Sequence, residues 1–356
     1  MKINKKDIRT IRASDSKTFV EIIDQTLLPH QLVFKKISKL DEVISAITTM
    51  QVRGAPLIGV TAAFGVALAI REKADSSDAF IAEVSKKLIN SRPTAVNLAW
   101  AVNRVSNLLH NINPNDRLEA AWAFAQQIAD DDVNTNKSIG IHGLQLIKKL
   151  NLNKVNIMTH CNAGWLATVD YGTALSPIFF ASEAGMNIHV WVSETRPRNQ
   201  GTNLTAWELE QAKIPHTIIA DNAAGFLMQQ GQVDCILVGA DRIGIDGQVV
   251  NKIGTYLKAV AAHEHQIPFY VAAPLSTVDV NFMGNQKKSF EIEHRDPEEL
   301  LTISGINKKG DIDTLKIGLS AALNPAFDIT PSKYVTSVIS EEGIIDPENI
   351  GRHING

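Results

Sequence analysis

The spacing of apolar residues changes near residue 150. Between Asp41 and Asp131 they recur three and four positions apart, as in DEVISAITTM, LIGVTAAFGVALAI and LEAAWAFAQQIA. Residues at this spacing share one face of a helix, so the pattern predicts a mainly helical first part. The polar segment DDDVNTNKSIG, residues 130–140, is expected to lie on the surface near the boundary between the two parts.

Beyond residue 150 the apolar residues form short runs rich in β-branched side chains. These runs are VNIMT, NIHVWVS, HTIIA, VDCILVG and PFYVAA, and the segments between them are long enough to hold helices. Strands that alternate with helices are typical of a parallel sheet covered on both faces. The sequence therefore predicts an α/β protein divided at about residue 150.

Composition narrows the possible functions. With 356 residues, 44% of them hydrophobic, the chain can bury a large core. Its net charge of −3 provides no overall basic field for nucleic acid or an anionic membrane. The first residues, MKINKKDIRTIRAS, lack a following apolar signal region, and we find no later charge-free span of about twenty apolar residues, the length that crosses a bilayer. We therefore expect a cytoplasmic protein without nucleic-acid or membrane partners.

The chain has two cysteines, which form no CxxC motif or disulfide framework, and no zinc-ligand spacing accompanies them. Cys161, in THCNAGWLAT, follows the strand VNIMT and precedes a helix expected to start near Trp165. Asp241 follows the strand VDCILVG. Ligands of open α/β sheets bind at the carboxyl ends of strands, which makes Cys161 and Asp241 candidate functional residues.

Both residues also have ordinary structural explanations. A cysteine at a strand end often only packs, and an aspartate there often caps a turn. A helix N-terminus would lower the pKa of the Cys161 thiol, whereas apolar surroundings would raise the pKa of Asp241. His160 should point away from Cys161, because neighbouring strand residues face opposite sides, which argues against a Cys-His dyad. Cys235 lies inside its strand and is expected to be a core residue.

Two helix starts could receive an anion. In QVRGAPLIGV, Pro56 suits the first turn of a helix and leaves the Gly54 and Ala55 amides free beside Arg53. The segment SRPTAVNLAW similarly has Arg92 before a proline. Each could also be a plain helix start with a solvated arginine.

Two loops add further polar groups. The loop ETRPRNQGTN precedes a possible capping box formed by Thr205 and Glu208, and it carries Arg196, Arg198, Asn199, Gln200 and Asn203. In RIGIDGQVVNKIGTY, a tight turn at Asp246–Gly247 would return Asn251 and Lys252 toward the edge that holds Asp241. Lys252 could contact a phosphate or be an ordinary surface lysine.

No dinucleotide fingerprint or P-loop follows the first strand of the predicted sheet, so neither NAD nor a nucleoside triphosphate is indicated. The residues alone predict a cofactor-free site with a thiol, a carboxylate and several anion donors. Such a site suits proton transfer on a small phosphorylated molecule.

Several ordered motifs resemble the methylthioribose-1-phosphate isomerase family. They are RGAPLIGV, SRPTAVNLAWAV, THCNAGWLAT, ETRPRNQGTNLTAWEL, VGADRI, NKIGTY and NPAFDITP, and the resemblance extends from DQTLLP at Asp24 to NPAFDITP at Asn324. It implies a small, mainly helical N-terminal domain at residues 1–150, a Rossmann-like catalytic domain at residues 151–356, and a homodimer. Regulatory subunits of the eukaryotic translation-initiation nucleotide-exchange factor share this fold and bind partners instead of catalysing.

The resemblance also implies residue roles. Cys161 and Asp241 would be catalytic in an isomerisation of a sugar 1-phosphate that needs no metal or other cofactor. The implied substrate contacts are Arg53, Gly54, Ala55, Arg92, Gln200, Asn251 and Lys252.

One position departs from the family pattern. The family motif continues after His-Cys-Asn as Thr-Gly-Ala, whereas this chain has Ala163, Gly164 and the bulkier Trp165. If Trp165 lines the pocket for the 5-substituent, 5-deoxyribose 1-phosphate is an alternative to 5-methylthioribose 1-phosphate. Ribose 1,5-bisphosphate fits less well, since no second phosphate site is evident. A regulatory binding subunit remains the other alternative, although it would not need all of these site motifs.

Overall fold

The computed structural model describes residues 1–3, 6–280, 282 and 292–355. The helices are α1 Leu40–Thr48, α2 Ala55–Lys73, α3 Asp78–Ser91, α4 Val96–His110, α5 Arg117–Lys149, α6 Ser176–Glu183, α7 Ala206–Gln211, α8 Ala223–Gln229, α9 Thr255–Glu264, α10 Glu298–Leu301 and α11 Ile350–Asn355. The strands are β1 Lys2–Ile3, β2 Lys6–Asp7, β3 Ile11–Ala13, β4 Val20–Ile23, β5 Phe34–Ile37, β6 Val155–His160, β7 Ile188–Ser193, β8 His216–Ile219, β9 Cys235–Val238, β10 Arg242–Gly244, β11 Val249–Lys252, β12 Phe269–Ala272, β13 Val278–Asp279, β14 Thr302–Ile306, β15 Ile312–Lys316, β16 Phe327–Thr330, β17 Ser337–Ser340 and β18 Gly343–Ile345.

The predicted helical first part is confirmed, and α2 lies at its centre. This helix is long and apolar enough to cross a membrane, but 78% of its most apolar window is buried inside the protein. It packs among α1, α3, α4 and α5, which accounts for its apolar composition. A small antiparallel sheet of β3, β4 and β5, which the sequence pattern did not predict, adds Ile11, Val20, Ile22 and Ile37 to the same core.

The predicted parallel sheet is also confirmed, and all five predicted strands are present as β6, β7, β8, β9 and β12. The strand order is β8-β7-β6-β9-β12-β17, all parallel, with β18 antiparallel at the β17 edge. This is the Rossmann order, in which the chain moves outward in one direction from the first strand and then in the other from the fourth. The crevice at which the direction changes lies between β6 and β9.

A second sheet has the strand order β13-β10-β11-β16, and its first strand in the sequence, β10, follows β9. Its β10–β11 hairpin turns at Gly247, which has a φ of +78°, a conformation that glycine adopts without strain. The predicted tight turn is confirmed, and it returns Asn251 and Lys252 at the end of β11.

The prediction that residues 130–140 lie on the surface is confirmed only in part, because they belong to the continuous helix α5, in which Asp131, Asn134 and Lys137 are exposed. Asn136 and Ile139 are buried within this helix. Residues Ala121–Ala129 of α5 pack into the N-terminal core, whereas Ile139–Ile147 pack against the central sheet. The polar residues 130–140 therefore lie in the part of α5 between the N-terminal core and the central sheet.

Candidate active site

Cys161 and Asp241 lie at the crevice between β6 and β9. Both line a small pocket, together with Arg53, Gly54, Ala55 and Asn251. The two strand-end loops touch, since a Cβ on Gly239 would lie 2.6 Å from the Cβ of Ala163. The neighbouring positions of β6 and β9 thus unite a thiol and a carboxyl that are 80 residues apart in sequence.

The backbone of Cys161 is held in a strained conformation. Its φ of +63° falls in the left-handed region, which costs a non-glycine residue roughly 1–3 kcal/mol. Thr195 Oγ1 accepts a hydrogen bond from the Cys161 amide at 2.8 Å, and the Thr205 hydroxyl donates to the Cys161 carbonyl at 2.6 Å. Two threonines therefore fix both peptide groups of the cysteine.

The prediction of a lowered thiol pKa was wrong. Only a three-residue 3-10 turn, Trp165–Ala167, follows the cysteine loop, and the next helix, α6, begins at Ser176. Burial raises the pKa of Cys161 above its ordinary value, although Arg53 and Lys252 act to lower it. The cysteine is accordingly a protonated thiol at neutral pH.

The predicted rise in the pKa of Asp241 is confirmed. Burial raises the pKa of Asp241, while the cations Lys252, Arg92 and Arg53 act to lower it. A carboxyl with a raised pKa keeps its proton to higher pH and can serve as a general acid.

The start of α2 forms one wall of the cavity, as predicted. Gly54 is the N-cap with a φ of +91°, Ala55 is the first helical residue and Pro56 follows in the first turn. Because Gly54 packs directly on the Ala167 backbone, where a Cβ would overlap it, the helix N-terminus lies close to the cysteine loop. The Arg53 guanidinium beside this wall binds Asn162.

Arg92 and Lys252 lie close enough to Asp241 to affect its pKa, but Arg92 is placed differently from the prediction. It is the C-cap of α3, and α4 begins at Val96, so the following proline does not open a helix. The Arg92 guanidinium lies 4.0 Å from Glu293 Oε2. Burial lowers the pKa of Lys252, whose ammonium lies 4.6 Å from the centre of the Phe327 ring.

Asn251 and Gln200 contact different cavities. Asn251 lines the Cys161–Asp241 cavity and donates a hydrogen bond to Thr255 Oγ1 at 3.0 Å. Gln200 lines an adjoining cavity, which shares Arg53 with the first and also contains Gln25. The Oε1 atoms of Gln200 and Gln25 are buried and accept no hydrogen bond from the described residues. Gln25, from the DQTLLP motif, was not a candidate from sequence.

The two arginines of the ETRPRNQGTN loop bind another part of the protein. Arg196 Nη2 donates to the Leu300 carbonyl at 2.8 Å, and Arg198 pairs with Glu299 at 2.8 Å. The predicted capping box is wrong, because the side chains of Thr205 and Glu208 instead contact the loop after β6. The prediction rested only on the three-residue spacing of Thr205 and Glu208, which is typical of a capping box.

Trp165 does not shape the cavity, contrary to the expectation from its size. Its side chain is fully buried in a separate cluster with Leu28, Leu166 and Leu204, and it stacks on Trp207 with ring centroids 6.1 Å apart. The Trp165 indole therefore lies in this apolar cluster and not in the crevice between β6 and β9. Its effect on the Cys161–Asp241 cavity can only be indirect.

The predictions that His160 forms no dyad with Cys161 and that Cys235 is a core residue agree with the structure. His160 Nε2 lies 2.8 Å from the Ile253 carbonyl, and burial lowers the pKa of His160 to about 3, so it is no base for Cys161. Cys235 is fully buried in β9, and burial raises its pKa to about 12. Within the described ranges, no group of three His, Cys, Asp or Glu side chains could hold a metal ion.

Comparisons with known proteins identify the class. Residues 51–347 match the model of the initiation factor 2 subunit family. A methylthioribose-1-phosphate isomerase from Dechloromonas aromatica is 53% identical, over 94% of this chain and 93% of the relative. Another from Gluconobacter oxydans is 46% identical, over 99% and 97%.

Solved structures agree with these relatives. The 5-methylthioribose 1-phosphate isomerase from Pyrococcus horikoshii OT3 has a TM-score of 0.83 and 41% identity, over 98% of this chain and 95% of that one. The translation initiation factor eIF-2B subunit delta from A. fulgidus has a TM-score of 0.79 and 40% identity, over 96% and 97%. The chain belongs to the initiation factor 2 subunit family and, within it, to the methylthioribose-1-phosphate isomerases.

Proposed function

We propose that this protein is an aldose-ketose isomerase that converts 5-methylthioribose 1-phosphate to 5-methylthioribulose 1-phosphate in methionine salvage. The observation that carries the proposal is the meeting of a protonated thiol, a carboxyl of raised pKa and the N-terminus of α2 in one cavity. The full-length relatives named for this activity support it.

Asp241 would open the sugar ring. A 1-phosphate removes the free anomeric hydroxyl through which an ordinary aldose opens, so the ring oxygen itself must receive a proton. Transfer of the Asp241 proton to that oxygen breaks its bond to C1, and the bonding electrons remain on the oxygen as a C4 hydroxyl. C1 is left electron-deficient, and its positive charge is shared with the phosphate ester oxygen until the hydrogen transfer that follows. The raised pKa of Asp241 favours the protonated acid that this step requires.

Hydrogen transfer from C2 to C1 would complete the reaction. In a proton route, a base removes the C2 proton, a C1–C2 double bond forms, and C1 is then protonated while the 2-hydroxyl loses its proton. In a hydride-like route, the hydrogen moves with its electron pair from C2 to C1, and the 2-hydroxyl again loses its proton. Cys161 would relay the proton in the first route or stabilise the transition state in the second.

The phosphate would bind beside the start of α2. Backbone N–H groups at a helix N-terminus bind anions well, and Gly54 and Ala55 occupy that position. Arg53, Arg92 and Lys252 would add positive charge, and Gln200 and Asn251 would contact the sugar. The charges that Lys252, Arg92 and Arg53 exert on Asp241 support a common binding region for these side chains.

Replacing Arg92 or Lys252 with Met is expected to raise KM by roughly 10-fold or more, because each change removes a charge-assisted contact to the phosphate. Steady-state kinetics measures this change. Arg117→Met is the matched control, since Arg117 is a buried arginine that binds the Ile112 and Ser76 carbonyls. The control should lower the melting temperature without changing KM, and two kinetically silent site variants would show that the phosphate binds elsewhere.

A substrate comparison tests the proposed reaction. Purified protein is given 5-methylthioribose 1-phosphate, 5-deoxyribose 1-phosphate or ribose 1,5-bisphosphate, without metal or nucleotide, and the ketose product is followed by NMR. We expect turnover of the first two, since both have an uncharged 5-substituent, and a difference of one small apolar group changes binding by only ~1–3 kcal/mol. The bisphosphate should react poorly, because its second dianion would be desolvated without a cationic partner.

The other outcomes are informative. A strong preference for 5-deoxyribose 1-phosphate would keep the chemistry and change the substrate. Turnover of none of the three by folded protein would favour a binding role like that of a regulatory subunit.

We further propose a cytoplasmic homodimer. The burial of α2 inside the protein supports the location, and exposed apolar side chains such as Leu315, Leu319 and Leu323 offer surface for a second copy. Light scattering should give twice the mass of one chain, whereas the mass of a single chain would contradict the dimer.

A further inference from the structure

Glu208 is a buried carboxylate with three hydrogen-bond donors around it. Its Oε1 accepts from Asn162 Nδ2 at 2.8 Å and from the Leu166 amide at 3.1 Å, and its Oε2 accepts from the Trp165 amide at 2.7 Å. The residue is completely buried. Burial raises the pKa of Glu208 to about 7, while the Asn162 side chain and the Leu166 and Trp165 amides act to lower it. These donors take the place of water around the buried carboxyl group, so Glu208 is bound tightly to the loop that follows Cys161.

Glu208 determines which way the Asn162 amide faces. Asn162 Nδ2 donates to Glu208 and, at 3.1 Å, to Thr205 Oγ1. The Asn162 Oδ1 is therefore left to accept from Arg53 Nη1, while the Asn162 carbonyl accepts from Arg53 Nη2 at 2.7 Å. If the amide were turned over, its NH₂ group would face the guanidinium, where donor would meet donor.

The cysteine loop is shaped to admit this carboxylate. A Cβ on Gly164 would overlap Glu208 Oε2 and lie 2.5 Å from Leu175 Cδ1. Glycine at this position lets Glu208 reach the Trp165 and Leu166 amides. Glu208 therefore joins the segment LTAWEL to the cysteine loop in THCNAGWLAT.

We propose that Glu208 is a positioning residue that holds the Arg53 guanidinium at the substrate site by orienting Asn162. Arg53 is shared by the Cys161–Asp241 cavity and the cavity that contains Gln200. Its charge also acts on both catalytic candidates. An Arg53 released from Asn162 could turn into solvent and weaken the binding of the phosphate. The inference rests on the proposed function for its substrate, while the contact itself does not.

A double-mutant cycle tests the proposal. Glu208→Met removes both acceptor oxygens, so Asn162 Nδ2 and the Trp165 and Leu166 amides all lose their bonds to this side chain. Glu208→Met and Arg53→Met should each raise KM about 10-fold, as expected for one lost charge-assisted contact, and the double variant should also raise it about 10-fold instead of about 100-fold. The Kd of inorganic phosphate, measured by ³¹P NMR titration, should follow the same pattern.

The control and the contradicting results are defined by the structure. Glu42→Met removes a carboxylate that accepts from the Ser38 and Lys39 amides outside the site cavities, and it should leave KM and the phosphate Kd unchanged. Additive effects of Glu208→Met and Arg53→Met, or a folded Glu208→Met variant with native KM and phosphate Kd, would overturn the proposal.

A second variant keeps the test valid if Glu208→Met does not fold. Asn162→Ala keeps the bonds that the Trp165 and Leu166 amides donate to Glu208 and removes the side-chain acceptor of Arg53, while the backbone carbonyl of residue 162 stays in place. It should raise the phosphate Kd by the same factor and be non-additive with Arg53→Met, and additive effects would again overturn the proposal. The phosphate titration needs no turnover, so failure of the isomerase assignment is distinguishable from failure of the positioning role.

Discussion

Replacing Asp241 with Asn is expected to remove almost all turnover, with a loss of about 10²–10⁴-fold in kcat, the range typical for a positioned general acid. Asparagine matches aspartic acid in shape but cannot give a proton to the ring oxygen. Substrate affinity should stay within about fivefold, because a buried Asp241 that binds substrate in its protonated form is as neutral as the amide. Rapid-quench kinetics and calorimetry measure the two quantities separately.

Asp132→Asn is the matched control, since burial raises the pKa of Asp132 to about 7 and its carboxylate accepts from the Val169 amide at 2.7 Å. This change should affect stability and spare kcat. A loss of affinity in Asp241→Asn as large as the loss of kcat would identify a ligand-binding or structural carboxylate. In the native protein, kcat should fall as the pH rises through the raised pKa of Asp241, because the acid then loses its proton.

Replacing Cys161 with Ser or Ala is expected to leave a folded protein that has lost about 10²-fold or more of kcat, as for other proton-transfer groups. A hydroxyl is a weaker acid than a thiol by several pKa units, so serine should not restore the rate. The threonine contacts to the Cys161 backbone do not involve the side chain and should hold the serine in the same conformation. Steady-state kinetics beside circular dichroism separates turnover from folding.

Cys235→Ala is the control for the loss of a buried thiol. Cys235 lies in the core of β9, away from the cavity, and its truncation should reduce stability with little effect on kcat. Near-native turnover in a folded Cys161→Ser variant would return Cys161 to a packing role.

The sequence predicted the central elements well because their signals are local. The β-branched runs that became β6, β9 and β12 are buried on both faces, and their apolar composition shows this directly, whereas the edge strand β8 is partly exposed but was still recognised by its β-branched residues. The three-stranded sheet of β3, β4 and β5 was missed, since its strands have three or four residues and too few alternations to define a period. The division into domains near residue 150 stays a prediction.

The candidate site was predicted unevenly for a similar reason. Cys161 and Asp241 could be found because strand ends are recognisable in a sequence and strand ends of one parallel sheet share an edge. Glu208 and Gln25 could not, since Glu208 had the spacing of a helix cap and Gln25 lies in a short 3-10 turn, Gln25–Leu27. The roles assigned to all the site residues remain proposals.

The sequence by itself determined the α/β class, the strands that carry Cys161 and Asp241, and the family. It could do so because these properties follow from residue types and their spacing along the chain. Only the tertiary structure decided that Trp165 leaves the crevice, that burial raises the pKa of the Cys161 thiol and that Glu208 binds the cysteine loop. Each of these depends on which distant segments pack together and on how completely they exclude water, and neither is encoded in the spacing of neighbouring residues.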